Sequence, residues 1–112
     1  MISFLLLLWS CGLWANDAVI LEVTAMSVGT ETRFDVTILH SDTGWDHYAD
    51  GWGIYTSDGE LLGYRTLFHP HVDEQPFTRS LTIKIPDDVT DVLIIPHDSM
   101  HGEGKPWQVN LK

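Results

Sequence analysis

The fold of this chain is decided by the stretch Arg33-Phe34-Asp35-Val36-Thr37-Ile38-Leu39-His40. Its apolar residues Phe34, Val36 and Ile38 alternate with the polar residues Asp35 and Thr37. In an extended chain, successive side chains point to opposite faces, so this stretch has one apolar and one polar face. The period of two therefore predicts a β-strand that packs one face against a core.

Most of the remaining chain shows the same pattern in short runs, and no window sustains the spacing of an amphipathic helix. One run is expected to place Val19, Leu21 and Val23 on one face and to pair with the first stretch across a turn at Gly29. The Asp58-Gly59 dipeptide predicts a tight hairpin between two further strands. The predicted strands are Ala18–Thr24, Arg33–His40, Gly51–Thr56, Leu61–Phe68, Thr78–Ile85, Val89–Pro96 and Trp107–Leu111.

About seven short strands in so small a chain predict an all-β fold, namely an antiparallel β-sandwich of immunoglobulin or fibronectin type. The run Val92-Leu93-Ile94-Ile95 is apolar on both faces, as expected of a strand inside such a sandwich. The sequence indicates one domain over residues 16–112, preceded by a leader over residues 1–15.

The composition limits the partners of this domain. The chain has 112 residues with 6 basic and 16 acidic side chains, which gives a formal charge of −10, and 44% of its residues are hydrophobic. That apolar content is enough for a core and argues against acidic disorder. The negative charge argues against nucleic acid and anionic lipid as partners.

Residues 1–15 form an uncharged apolar stretch that ends at the small residue Ala15. It is shorter than the roughly 20 residues of a membrane-spanning helix, so it predicts a cleaved export signal without a membrane span, and a buried N-terminal strand is the other interpretation. The expected location is periplasmic or secreted. Cys11 is the only cysteine, so cleavage after Ala15 leaves no thiolate for a metal; lipidation of Cys11 is the alternative.

The six histidines are the most unusual feature of the composition. They are His40, His47, His69, His71, His97 and His101, and each lies at a predicted strand end or in a loop. His69 and His71 flank Pro70, which disfavours a helical conformation for the residue before it. Residues two apart in an extended chain project from the same face, so these two imidazoles are expected to converge.

A His-x-His pair is a common beginning of a zinc or copper site that other parts of the fold complete. His47 and His101 follow different predicted strands and are expected to reach the same end of the sandwich. The predicted metal ligands are therefore His47, His69, His71 and His101. Because these donors are nitrogen atoms, copper is slightly preferred over zinc.

The alternative is that the histidines are surface groups which bond to nearby aspartates such as Asp42, Asp46 and Asp98. His40 and His97 are interpreted as bystanders or alternate ligands. Asp73 and Glu74 follow the histidine pair and are expected to orient its rings by accepting the distal ring N–H. Pairing of these acids with Arg65 or Arg79 is an equally good interpretation.

Three motifs resemble a family of uncharacterised exported bacterial proteins. They span residues 46–52, residues 62–81 with His69-Pro70-His71-Val72-Asp73-Glu74-Gln75-Pro76-Phe77-Thr78-Arg79-Ser80 at the centre, and Asp98-Ser99-Met100-His101-Gly102. The resemblance covers roughly residues 40–112. It implies that the following residues belong to one functional or structural group: His47, His69, His71, Glu74, Arg79, Asp98 and His101. On this basis Asp98 and Arg79 are added to Asp73 and Glu74 as residues that support the ligands.

The sequence predicts an exported protein that binds copper or zinc through a histidine cluster. The alternative is a non-catalytic binding module whose His, Asp and Trp side chains recognise a peptide, a glycan or a protein without metal. No nucleophile motif surrounds Ser99, and the sequence leaves open whether the protein is an enzyme.

Overall fold

The computed structural model describes residues 17–112, and the predicted leader with Cys11 lies outside the described residues. The eight strands are β1 (Val19–Val28), β2 (Glu31–Leu39), β3 (Ala49–Thr56), β4 (Leu61–Thr66), β5 (Phe77–Ile83), β6 (Asp91–Asp98), β7 (Gly102–Glu103) and β8 (Trp107–Asn110). Residues 17–112 contain no helix, and none of them forms a helical segment able to cross a membrane. The predicted all-β class is confirmed.

The strands form two antiparallel sheets. One sheet has the order β1-β2-β5, and the other has the order β4-β3-β6-β7 with β8 also paired to β6. The chain changes sheets between β2 and β3, between β4 and β5, and between β5 and β6, as in an immunoglobulin-like sandwich. The two-residue strand β7 is an addition to the seven strands that the sequence predicts.

The core lies between the two sheets. Phe34, Val36 and Ile38 of β2 are fully buried, as their alternation predicts. From the opposite sheet, Trp52 of β3 and Ile94 of β6 are also fully buried and belong to the same cluster. Each buried aliphatic or aromatic side chain in such a cluster contributes about 1.5–3 kcal/mol to folding.

Strand β1 differs from its sequence prediction. Val19 and Leu21 are exposed, whereas Ile20 is buried. The register against β2 shifts between Ile20 and Glu22, which is a β-bulge. A bulge adds one residue to one strand and reverses the facing of the residues beyond it. The predicted face was therefore wrong for Val19 and Leu21, although Val23 packs against the core.

The two predicted turns are present. Val28 pairs with Glu31 across Gly29, whose φ is 62°. Gly59 has a φ of 93° in the turn between β3 and β4. Both values lie in the left-handed region, which glycine adopts without steric cost.

At one end of the sandwich, the last inward-facing positions that follow from the alternation in β2 and β6 are polar residues. Strand β6 buries Val92, Ile94, Pro96 and then Asp98, while His40 is the next inward position after Ile38 of β2. The connections β2–β3, β4–β5 and β6–β7 all lie at this end, which we call the histidine end. Here the core terminates in an imidazole and a carboxylate from opposite sheets.

Candidate metal centre

Asp98 is the centre of the histidine end. Its side chain is fully buried, and its Oδ1 accepts hydrogen bonds from the backbone N–H groups of Met100 at 2.9 Å and His101 at 2.5 Å. Its Oδ2 is buried and has no hydrogen-bond partner among the described residues. A buried carboxylate oxygen normally has a donor or a cation beside it. The unsatisfied oxygen therefore marks a position suited to a cation.

The protonation state of Asp98 is compatible with that role. Burial raises the pKa of the carboxyl group, but the backbone N–H groups of His101 and Met100 and the nearby His40 and His101 rings lower it. The net result is a pKa below the usual value for aspartate. Asp98 is therefore an ionised carboxylate at neutral pH, as a metal ligand must be.

His40 is buried and is oriented by a second carboxylate. Its Nδ1 lies 2.6 Å from Oδ1 of the buried Asp42. Because a carboxylate is an acceptor only, Nδ1 is the donor in this contact, and Nε2 is the ring nitrogen that faces His47 and Asp98. Metal-bound histidines are commonly oriented by a carboxylate in this way. His40 Nε2 lies 3.5 Å from Asp98 Oδ2.

Asp42 and Gln75 fix the surroundings of His40. Asp42 also accepts hydrogen bonds from the backbone N–H groups of Ala49 at 3.1 Å and His71 at 2.7 Å. The side chain of Gln75 accepts a hydrogen bond from the His40 backbone N–H and donates one to the His71 carbonyl, both at 2.9 Å. The β2–β3 and β4–β5 connections are thereby held to one another beneath the site.

His47 is brought back over His40 by a tight turn in the β2–β3 connection. The Thr43 N–H donates to the His47 carbonyl at 3.0 Å, and the His47 N–H donates to the Gly44 carbonyl at 3.3 Å. As a result, His47 Nε2 lies 3.2 Å from His40 Nε2 and 3.6 Å from Asp98 Oδ1. The two rings meet edge to face, with centroids 4.7 Å apart.

The separations between these three donors match those around a small cation. A tetrahedral zinc ion with bonds of about 2.0–2.1 Å has neighbouring ligand atoms roughly 3.3–3.4 Å apart. The observed separations are 3.2 Å between the two imidazole nitrogens, 3.5 Å from His40 Nε2 to Asp98 Oδ2, and 3.6 Å from His47 Nε2 to the other carboxylate oxygen, Asp98 Oδ1. His40, His47 and Asp98 therefore form a group that could hold a metal ion.

A second group of ligating side chains shares Asp98. The donor atoms of Asp17, Asp98 and His101 lie within 4.8 Å of one another, as do those of His40, His47 and Asp98. His101 Nδ1 lies 3.4 Å from Asp98 Oδ2, and the His101 and His47 rings have centroids 4.8 Å apart. The β6–β7 turn aims His101 in this direction because Asp98 Oδ1 holds its backbone N–H.

The structure separates the predicted His69–His71 pair from the two groups. The two rings do converge, with centroids 4.8 Å apart, but neither residue belongs to either ligating group within residues 17–112. The buried His71 stacks on Phe77 at 4.0 Å, and its Nε2 lies 3.0 Å from the Arg79 guanidinium. Burial, with Arg79 and His69 adding to it, lowers the pKa of His71.

The residues that were expected to support the ligands lie in different surroundings. Glu74 pairs with Arg79 at 3.3 Å, which is the alternative interpretation from the sequence, and Asp73 is exposed. His97 pairs with Asp50 at 2.5 Å. Of the predicted ligands, the structure brings His47 and His101 together beside Asp98. The complete predicted set with His69 and His71 stays a prediction.

The sequence interpretation set His40 aside and gave Asp98 only a supporting role. The alternation of inward-facing and outward-facing positions along the strands was the signal that could have identified both residues. His40 follows Phe34, Val36 and Ile38 at the same spacing of two, and Asp98 follows Val92 and Ile94 in the same way. A polar residue in the inward phase of a strand faces the other sheet, and it needs a partner there.

Comparisons with known proteins give one related sequence and one related structure. A protein of Halomicrobium mukohataei named "Putative lipoprotein" is 44% identical to this chain over 90 residues. The match covers 80% of this chain and 44% of that protein, so the chain spans less than half of the length of its relative. No protein-family profile matches the chain.

The crystal structure of hypothetical protein PH1083 from Pyrococcus horikoshii OT3 has the same fold. It superposes with a TM-score of 0.62 over 88% of this chain and 91% of that chain, at 13% sequence identity. This likeness extends over nearly the whole of both proteins. At so low an identity it shows the sandwich fold alone.

Proposed function

We propose that this protein is an exported metal-binding protein that holds a divalent transition metal through His40, His47 and Asp98. The observation that carries the proposal is the unsatisfied Oδ2 of Asp98, which lies 3.5 Å from the basic nitrogen of an imidazole that Asp42 orients. Of the ligands that the sequence predicts, the proposal keeps His47. It adds His40 and moves Asp98 into the ligand set.

The donor types favour copper(II) or zinc(II). Residues 17–112 contain no cysteine, so the donors at the histidine end are imidazole nitrogen and carboxylate oxygen. Imidazole suits both metals, and copper(II) has the higher affinity for nitrogen-rich sites in the general order of divalent ions. Two imidazoles and one carboxylate with open positions also occur in catalytic zinc sites. Metal handling and a small catalytic site are both compatible with this donor set.

Export to the cell envelope is supported by the apolar leader over residues 1–15 and by the name of the Halomicrobium relative. A lipid on Cys11 would tether the domain to a membrane, whereas cleavage after Ala15 would release it. Cell fractionation with mass spectrometry of the mature amino terminus separates the two forms. Recovery of the protein with its leader intact in the cytosol would overturn export.

The metal proposal is tested by calorimetric titration of protein purified without a polyhistidine tag and stripped with chelator. We expect Cu(II) or Zn(II) to bind more tightly than micromolar. His47→Gln should weaken binding by at least tenfold, because it removes a half-buried donor. Asp46→Asn is the matched control, since Asp46 is exposed beside His47 and its loss should leave affinity unchanged. Binding weaker than micromolar for both metals would overturn the proposal.

The second candidate function is a binding module that works without metal. It is favoured by large apolar side chains exposed on the connections of the histidine end, namely Trp45, Phe68, Val72 and Met100. Exposed aromatic groups near polar ones are typical of surfaces that bind peptides or glycans. This candidate predicts that protein stripped of metal retains full affinity for its partner.

A further inference from the structure

Asp98 belongs to both groups of ligating side chains at the histidine end, and this sharing suggests more than one ion. We propose that the site is a two-ion centre in which the Asp98 carboxylate is common to an inner ion and an outer ion. The inner ion is bound by His40 and His47, and the outer ion is bound by Asp17 and His101. This inference rests on the proposed function and extends it to a second divalent cation.

The separations between donors argue against a single ion with all of these ligands. Ligand atoms on opposite sides of one ion are separated by at most twice the bond length, or about 4.2 Å for bonds of about 2.1 Å. Within residues 17–112, no group of donors within 4.8 Å joins His101 to both His40 and His47. One ion in the observed arrangement therefore cannot bind all three imidazoles.

The unsatisfied oxygen of Asp98 lies between the two groups. Asp98 Oδ2 is 3.5 Å from His40 Nε2 and 3.4 Å from His101 Nδ1. Asp98 Oδ1 is held by two backbone N–H groups and lies 3.6 Å from His47 Nε2. A carboxylate fixed in this way has an imidazole on each side. Shared ligands of this kind hold paired ions about 3.5–4 Å apart in two-metal sites.

The charges at the histidine end suit two cations. Two divalent ions bring four positive charges, which repel unless nearby carboxylates offset them. Asp98 and Asp17 supply two negative charges as ligands, and Asp42 supplies a third through its hydrogen bond to His40. The outer ion depends on Asp17 for this balance, because its other protein ligands are the shared carboxylate and a neutral imidazole.

The approach of Asp17 to the site is built into the fold. Asp17 immediately precedes the buried Ala18, whose carbonyl oxygen lies close to Gly104. A Cβ atom on Gly104 would be 2.5 Å from that oxygen, so only glycine allows this contact. The Gly104 N–H bonds to the Pro96 carbonyl at 2.8 Å, which anchors the contact to strand β6. Asp17 is thereby held at the end of the strand that carries Asp98.

The two ions differ in their access to solvent. His40 and Asp98 are buried and His47 is half-buried, whereas Asp17 is half-buried and His101 is exposed. The inner ion is therefore shielded, and the outer ion has open positions toward solvent. Those positions suit a water molecule or a small oxygen anion such as phosphate or a carboxylate. We expect the outer ion to exchange faster and to bind more weakly.

The test is the number of ions bound per chain, measured by calorimetry and elemental analysis on untagged protein from the envelope fraction. We expect two Zn(II) or Cu(II) ions per chain, and one ion after Asp17→Asn or His101→Gln. Asp46→Asn is the control and should retain two. One ion in the unmodified protein would overturn the two-ion centre and leave the proposed function standing. No bound ion would overturn both.

The second readout is electron paramagnetic resonance of the copper-loaded protein. One equivalent of Cu(II) should give the signal of an isolated ion. Two equivalents should lose intensity and show a half-field line, because adjacent copper ions couple magnetically. Asp17→Asn should show only the isolated signal at any loading. Two ions without coupling, or two ions retained in Asp17→Asn, would place the second ion elsewhere and overturn the proposal.

Discussion

Replacement of Asp42 by asparagine tests how the carboxylate behind the site controls metal binding. Asp42 Oδ1 accepts from His40 Nδ1 and from the Ala49 N–H, while Oδ2 accepts from the His71 N–H. Asparagine has the same shape, but one of its two terminal groups is a donor. In either orientation, the NH2 group of the asparagine side chain therefore faces at least one N–H group of the protein that also donates.

The two orientations of the amide have different consequences. If the amide oxygen faces His40 and Ala49, the lost contact is the one with His71, and the site keeps its geometry but loses the negative charge. If the NH2 group faces His40, the ring proton must move to Nε2, which removes the lone pair that would bind metal. A buried hydrogen bond to a charged group contributes about 1.5–3 kcal/mol, and loss of a carboxylate that orients a ligating histidine lowers metal affinity about 10–100-fold.

We therefore expect Asp42→Asn to lower the free energy of unfolding by about 1–3 kcal/mol and to weaken Zn(II) or Cu(II) binding by roughly 10–100-fold. Urea unfolding of the metal-free protein measures the first effect, and calorimetric titration of the folded variant measures the second. Asp46→Asn, an exposed carboxylate four residues away, should change neither. The reasoning is refuted if Asp42→Asn binds metal within threefold of the unmodified protein.

Two further predictions concern the elements around the site. Because the folded-state pKa of His71 lies below the ordinary histidine value of 6.5, protonation favours the unfolded chain, so metal-free protein should lose stability as pH falls below about 6.5. His71→Phe should flatten that part of the urea-midpoint profile more than His69→Phe does, because burial is the main cause of the lowered His71 pKa and His69 is a smaller one. Gly104→Ala should lower the melting temperature, because its Cβ would meet the Ala18 carbonyl oxygen at 2.5 Å. It should also remove the outer ion before the inner one, and equal loss of both ions would contradict the role given to Gly104.

Local pattern was sufficient for most of the fold. Strand β2 was predictable because Phe34, Val36 and Ile38 alternate without interruption, and the β3–β4 hairpin was predictable from Asp58-Gly59. The bulge in β1 was not, because Ile20-Leu21-Glu22 has no glycine or other residue that marks it. The exposure of Leu21 follows from the register against β2, and register depends on contacts between strands.

The candidate site was harder to predict because its members come from three separate parts of the chain. The His69–His71 pair attracted attention since its spacing is local, and the two rings do lie together. The sequence does not show that the His71 ring stacks on Phe77 or that its Nε2 lies beside the Arg79 guanidinium. The contact between His40 and Asp98 depends on how the two sheets pack against each other. The local sequence around either residue does not determine this packing.

The position of Asp98 explains why the proposed metal site lies at the end of the core. Deeper in the sandwich, a carboxylate would lack donors, because the backbone groups there are paired within the sheets. Outside it, the carboxylate would be hydrated and would bind cations weakly. At the last inward position of β6, the next turn of the chain offers two N–H groups to Oδ1, while Oδ2 remains among imidazoles. An unsatisfied buried oxygen costs about 1–3 kcal/mol, and a bound cation would remove that cost, so on the proposed function metal affinity and the stability of the histidine end would depend on the same atom.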